Sequence, residues 1–120
     1  MEISFKHTRC EPDPKITEAA IAKLRKLDRL LPNPEAALAS LELERAVGNQ
    51  QKGDIWRAEL TIRHHGALYR AESTKAKLDH AVTTVLRDVT DELARAHRKA
   101  NHEKRKGSGV IKDLLRGFRR

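Results

Sequence analysis

The chain has 120 residues, one cysteine and a formal net charge of +8, the size of a single domain that can bury one core without staples. The lone thiol, Cys10, excludes an intramolecular disulfide framework and a cysteine-based zinc site, and it fits a reducing compartment. No stretch approaches the roughly 18 apolar residues a membrane span needs, and MEISFKHTRC lacks the apolar run of a signal peptide, so a cytoplasmic protein with no membrane partner is expected.

Residues 2–7 alternate, with Ile3, Phe5 and His7 on one side and Glu2, Ser4 and Lys6 on the other, the pattern of a half-buried strand. Cys10 then reads as an inert residue near its end. Glu11-Pro12-Asp13-Pro14 follows, where Asp13 suits a helix cap and Pro14 the first helical position. The first helix is expected from about Pro14 to Leu31, because Ile16, Ala20, Leu24, Leu27 and Leu31 recur at helical spacing and Pro32 stops it. Lys15, Lys26 and Arg29 lie nearly opposite that stripe, with Arg25 beside them. This is either an ordinary solvated face or a phosphate-contacting one.

Residues 37–47 alternate with Leu41 and Leu43 inward, and Gly48 to Asp54 reads as a hairpin connection. Residues 55–63 place Trp56, Ala58, Leu60 and Ile62 on one face, against Arg57, Glu59, Thr61 and Arg63 on the other. His64-His65-Gly66 makes a turn into a short strand over 67–73. The second helix is expected from about Lys77 to Lys104, with Leu78, Val82, Val85, Val89, Leu93 and Ala96 on one face and Leu86 beside them. Such a helix would be about 42 Å long, more than a small sheet covers, so its end should project. Gly107-Ser108-Gly109 should end it and act as a joint. The expected organisation is a domain over 1–106 and a flexible basic tail over 107–120.

This order predicts an α+β fold, β-α-β-β-β-α, with a four-stranded, mostly antiparallel sheet and two helices packed on one face. A helix joining the first two strands makes that pair parallel and adjacent.

The location of the charge says more than its size. Residues 95–120 hold 10 of the 25 lysines and arginines but 2 of the 17 acidic residues, so they carry the whole excess of +8 and residues 1–94 balance to zero. Arg95, Arg98, Lys99, Lys104, Arg105 and Lys106 form a dense basic cluster on the helix end. Cations in that density favour a polyanion, with affinity that falls steeply with salt as counterions are released. Only Phe5, Trp56, Tyr69 and Phe118 are aromatic, and Phe5 and Trp56 belong to core patterns. A base-stacking platform is therefore not expected, and recognition should be of backbone and shape.

Signals for other chemistry are weak. There is no phosphate-cradling glycine loop and no persuasive catalytic triad. Glu42/Glu44 and Asp91/Glu92 sit on element exteriors. Adjacent His64 and His65 would point to opposite faces of a strand, and His97 and His102 are five apart on a helix. No enzyme activity, metal, cofactor or small-molecule substrate is expected.

The layout resembles the short ribosome hibernation promoting factors, the family that includes the ribosome-associated inhibitor protein Y, over about residues 1–105. The likeness is carried by the opening strand, the helix ITEAAIAKLRKLDRLLP, the segment LELERAVG, the Trp/Ala/Leu-rich strand, YRAES, and Ala81-Val82 where the family usually has Ala-Ile. The resemblance implies docking on the small ribosomal subunit and its rRNA between head and body. There the protein overlaps the mRNA and tRNA positions and silences translation by occupancy, as a stress or stationary-phase response. Lys15, Lys26, Arg29, Arg95 and Lys99 with their neighbours would face rRNA. The sequence differs from the family at Lys77-Leu78-Asp79-His80, where an acidic residue and a tyrosine are usual, and at Asp88 and Asp91, positions often basic. Competing readings are a general structured-RNA or duplex binder that recognises phosphate backbone, and a membrane-surface or protein adaptor acting through the amphipathic tail.

Overall fold

The computed structural model describes residues 1–47 and 54–118, with side chains described for 1–46 and 55–103. The connection expected at 48–54 thus lies almost wholly outside the described residues. Strand β1 (Glu2–Thr8) leads to helix α1 (Pro14–Lys26), then to β2 (Leu38–Val47), β3 (Asp54–His64), β4 (Ala67–Lys75) and helix α2 (Leu78–Phe118). The sheet order is β1-β2-β3-β4. β1 and β2 are parallel, with Phe5 opposite Leu41, and the other two pairings are antiparallel. The α+β layout read from the pattern is the one that forms.

Helix α1 starts where its sequence caps it. The Asp13 carboxylate accepts from the Lys15 amide at 2.9 Å, and Pro14 fills the first helical position, where its missing N–H costs nothing. The α-helix ends earlier than the stripe suggests. Leu27–Leu30 tighten into a 3₁₀ turn and Leu31 is extended, since a residue preceding proline is pushed out of the helical region. The free amine of Met1 donates to Asp28 at 3.0 Å, tying β1 to this turn. A second short 3₁₀ turn, Pro34–Ala36, follows Asn33 at φ 49; the sequence reading has no element there.

The core lies between the inner face of the sheet and the two helices. Ala39, Leu41, Leu43, Ala58, Leu60 and Ile62 meet Ala20, Leu24 and Leu27 from one helical segment and Leu78, Ala81, Val82, Val85, Val89 and Leu93 from the other. Ile3, Phe5, Trp56, Tyr69 and Ala71 pack around its margin. Alanines at facing positions let the helices sit close on the strands.

His64 shares the inward face of β3 with Leu60 and Ile62 and is buried. Its Nε2 lies 2.5 Å from the Pro32 carbonyl, a bond in which the ring donates. His65 leaves the strand at φ 48 and Gly66 follows at φ 80, the two positive values of a type I′ hairpin. That departure brings the two imidazoles to 4.1 Å, edge to face, where a regular strand would have separated them.

Helix α2 differs from expectation at its far end. It continues through Gly107-Ser108-Gly109 to Phe118. A glycine inside a helix costs about 1 kcal/mol relative to alanine, which weakens a helix without forbidding it. Among the described residues, the buried ones stop at Leu93. At 1.5 Å per residue the 41 residues of α2 span about 61 Å, within a molecule 76 × 27 × 22 Å in extent. The expected projection of its basic end past the core is what forms.

The candidate nucleic-acid interface

The solvent side of the two helices carries the cations. On α1 and its 3₁₀ extension, Lys15, Lys23, Lys26 and Arg29 are exposed because they fall off the Ala20–Leu24–Leu27 stripe. On α2, Arg87, Arg95, Arg98 and Lys99 are exposed for the same reason. Where the helices pass each other they form a groove floored by Leu27 and Leu86 and walled by Lys23, Lys26 and Arg29 on one side. Thr83, Arg87, Thr90 and Asp91 wall the other. Three cations of α1 and its extension thus face Arg87 and Asp91 across an open trough.

Of the residues the sequence singles out, Lys26 and Arg29 enter this groove. Lys15 sits at the opposite end of α1, eleven residues and about 16 Å from Lys26 along the axis. Arg95, Arg98 and Lys99 lie beyond the groove on the projecting part of α2. The backbone of Lys104, Arg105 and Lys106 belongs to α2, but their side chains lie outside the described residues. Sequence reasoning missed Lys23 and Arg87. Lys23 was legible as the residue one turn before Lys26 on the same exposed face. Arg87 was not, since nothing in the pattern of α2 says which exposed side will border α1.

Two carboxylates temper the cationic surface. Asp88 lies 3.6 Å from Arg87, both largely solvated, and such a pair is worth little. Asp91 lines the groove itself. The Thr90 hydroxyl donates to the Leu86 carbonyl at 2.6 Å, so it offers a ligand only its acceptor side. Among the described residues the Thr83 hydroxyl has no such bond, which leaves it as the neutral donor of the trough.

The opposite face of the sheet has a different character. Arg57 donates to Glu72 at 2.6 Å and to Glu59 at 2.6 Å, and Arg70 donates to Glu59 at 3.0 Å. The bond and the charge of Arg57 hold the Glu72 carboxyl below its ordinary range, and Glu72 in turn raises Arg57. These charges satisfy one another and present no surplus to a polyanion. Among the described residues no three histidine, cysteine or acidic side chains gather to hold a metal ion, and no helix is long and apolar enough to cross a membrane.

Residues 1–101 match the family model described as Sigma 54 modulation protein / S30EA ribosomal protein. Among solved structures, the chain is similar to the Thermus thermophilus Protein Y N-terminal domain, with a TM-score of 0.62 and 23% identity over 79% of this chain and 98% of that one. It is also similar to a ribosomal subunit interface protein from Coxiella burnetii, with a TM-score of 0.58 and 12% identity over 80% and 97% of the two chains. No curated protein matches it. At these identities the structural likeness speaks for the fold.

Proposed function

Because the chain belongs to the Sigma 54 modulation protein / S30EA ribosomal protein family, we propose that it is a ribosome hibernation factor that binds rRNA of the small subunit near the mRNA/tRNA channel. It silences translation there by occupancy, without chemistry. The observation that carries this reading is the trough between α1 and α2, where Lys23, Lys26, Arg29 and Arg87 converge and from which the exposed Arg95, Arg98 and Lys99 continue along α2. Cations held on helices contact phosphates and read shape rather than base sequence.

In this reading Lys15, Lys26, Arg29, Arg95, Arg98, Lys99, Lys104, Arg105 and Lys106 contact rRNA, joined by Lys23 and Arg87. Residues 1–106 form the ribosome-binding unit, and residues 107–120 are a basic tail that adds phosphate contacts. The protein works in the cytoplasm, under conditions such as stress or stationary phase in which translation is held back. The similar Coxiella protein is a ribosomal subunit interface protein, which accords with such a position.

The test is co-sedimentation of the purified protein with ribosomal subunits at two salt concentrations, with translation in vitro as a second readout. Salt-sensitive migration with the small subunit, together with inhibited translation, is the expected result. Protein left at the top of the gradient overturns the reading. Equal affinity for a random RNA duplex would favour the general duplex binder instead.

A further inference from the structure

The outer face of the sheet, turned away from both helices, is divided into rows by the strand register. One row runs Glu2, Leu38, Arg63, Leu68 across the four strands. The next runs Ser4, Ser40, Thr61, Arg70. Leu38 and Leu68, 50% and 56% exposed, are the exposed large hydrophobic residues among the described ones, and they flank a single arginine. Arg57 and Arg70 on the same face are tied to carboxylates, whereas Arg63 makes no ion pair among the described residues. Shallow grooves border the row on both sides. One is lined by Ser4, Ser40 and Thr61, and the other by His65, Gly66 and Ala67.

We propose that the Leu38–Arg63–Leu68 row is a protein-docking surface for an amphipathic helix with a carboxylate at the centre of its apolar stripe. Neighbouring strands lie about 4.8 Å apart, so the two leucine positions are separated by about 9.6 Å. A helix lying across the strands places residues i and i+7 about 10.5 Å apart on one side, with i+4 between them. An extended segment offers same-face spacings of about 6.7 or 13 Å and fits poorly. Apolar residues at i and i+7 would cover Leu38 and Leu68, and an acidic residue at i+4 would meet Arg63, whose planar fork suits a carboxylate. The small side chains of the Ser4–Ser40–Thr61 row leave room for the helix flank. A lone arginine between two leucines is poor for RNA, which needs several phosphate contacts, whereas arginine is a residue type that anchors protein interfaces. The surface is on the far side from the cationic trough, so both can be occupied at once, and the proposal goes beyond the ribosome-binding reading.

The probe is a stapled helix of about four turns, with Leu at i and i+7, Glu at i+4, and Ala and Gln elsewhere, titrated into the ¹⁵N-labelled full chain. Amide shifts should centre on Leu38, Arg63 and Leu68, and a peptide with Lys at i+4 should bind at least about tenfold more weakly. Arg63→Glu should reverse that preference while leaving ribosome co-sedimentation unchanged, which separates failure here from failure of the functional reading. Three outcomes overturn the proposal. They are absence of shifts at millimolar peptide, shifts centred on Lys23, Lys26 and Arg87 instead, and concentration-dependent self-association through the same row, which would make a second copy the occupant.

Discussion

Removing cations from the trough should change how binding depends on salt as well as its strength. If Lys23, Lys26, Arg29 and Arg87 each neutralise one phosphate, they contribute a slope of about −3.6 to log affinity against log salt. Raising salt from about 50 to about 200 mM then costs roughly 150-fold through these four residues alone. The double variant Lys26→Ala/Arg87→Ala should halve that share of the slope to about −1.8, which reduces the corresponding loss to about 12-fold. Both residues are exposed, so the melting temperature should barely move, exposed substitutions costing within about 0.5 kcal/mol. The assay is sedimentation or fluorescence anisotropy with small subunits across a salt series. An unchanged slope with intact binding would refute the reasoning, since it would mean that the trough faces solvent in the complex.

Asp91→Asn removes the one carboxylate that lines the trough. At about 6 Å in water, one repelling charge is worth roughly 0.7 kcal/mol, so affinity for small subunits should rise about threefold. Leu60→Ala empties a fully buried position on the central strand β3 and should cost about 3–4 kcal/mol in chemical denaturation. His64→Ala strips the Pro32 carbonyl of its donor and should cost about 1–3 kcal/mol by the same measurement, through an acceptor left unpaired. Glu72 has its folded carboxyl held below the ordinary value, first by the Arg57 hydrogen bond and then by its charge. A depressed folded pKa gives stability that is complete above the ordinary carboxylate range and lost as pH falls through the folded value. Glu72→Gln should therefore flatten the acid limb of the stability profile; an identical acid limb would show that the network is solvated beyond relevance.

How much was legible follows from how local each signal is. The cap at Asp13 and the two-residue alternation of β3 depend on neighbours a few positions away, and both formed as the pattern indicated, whereas the α-helix ended at Lys26, short of the stop expected at Pro32. The end of α2 did not: Gly107 and Gly109 lower helix stability, but they compete with a helix already propagated from a packed segment, and propagation is cheaper than nucleation. The 3₁₀ turns at Leu27–Leu30 and Pro34–Ala36 were invisible because they satisfy the geometry of the corner into β2, which no periodicity encodes. Lys26 and Arg29 were identified as candidates from one helix alone, yet nothing along the chain says that Arg87 stands across from them.

The amino-acid order by itself thus determined the element sequence, the inward face of each element and the concentration of positive charge at the end of α2. These rest on periodicities of two and 3.6 residues and on composition, all properties of the chain before it folds. Tertiary structure alone decided that Lys23, Lys26 and Arg29 share a trough with Arg87 and Asp91, that Arg57 meets Glu72 and Arg70 meets Glu59 across strands, and that Arg63 is left between two exposed leucines. Each of these is a contact between residues far apart in sequence, set by which helix sides meet and by the register of the strands.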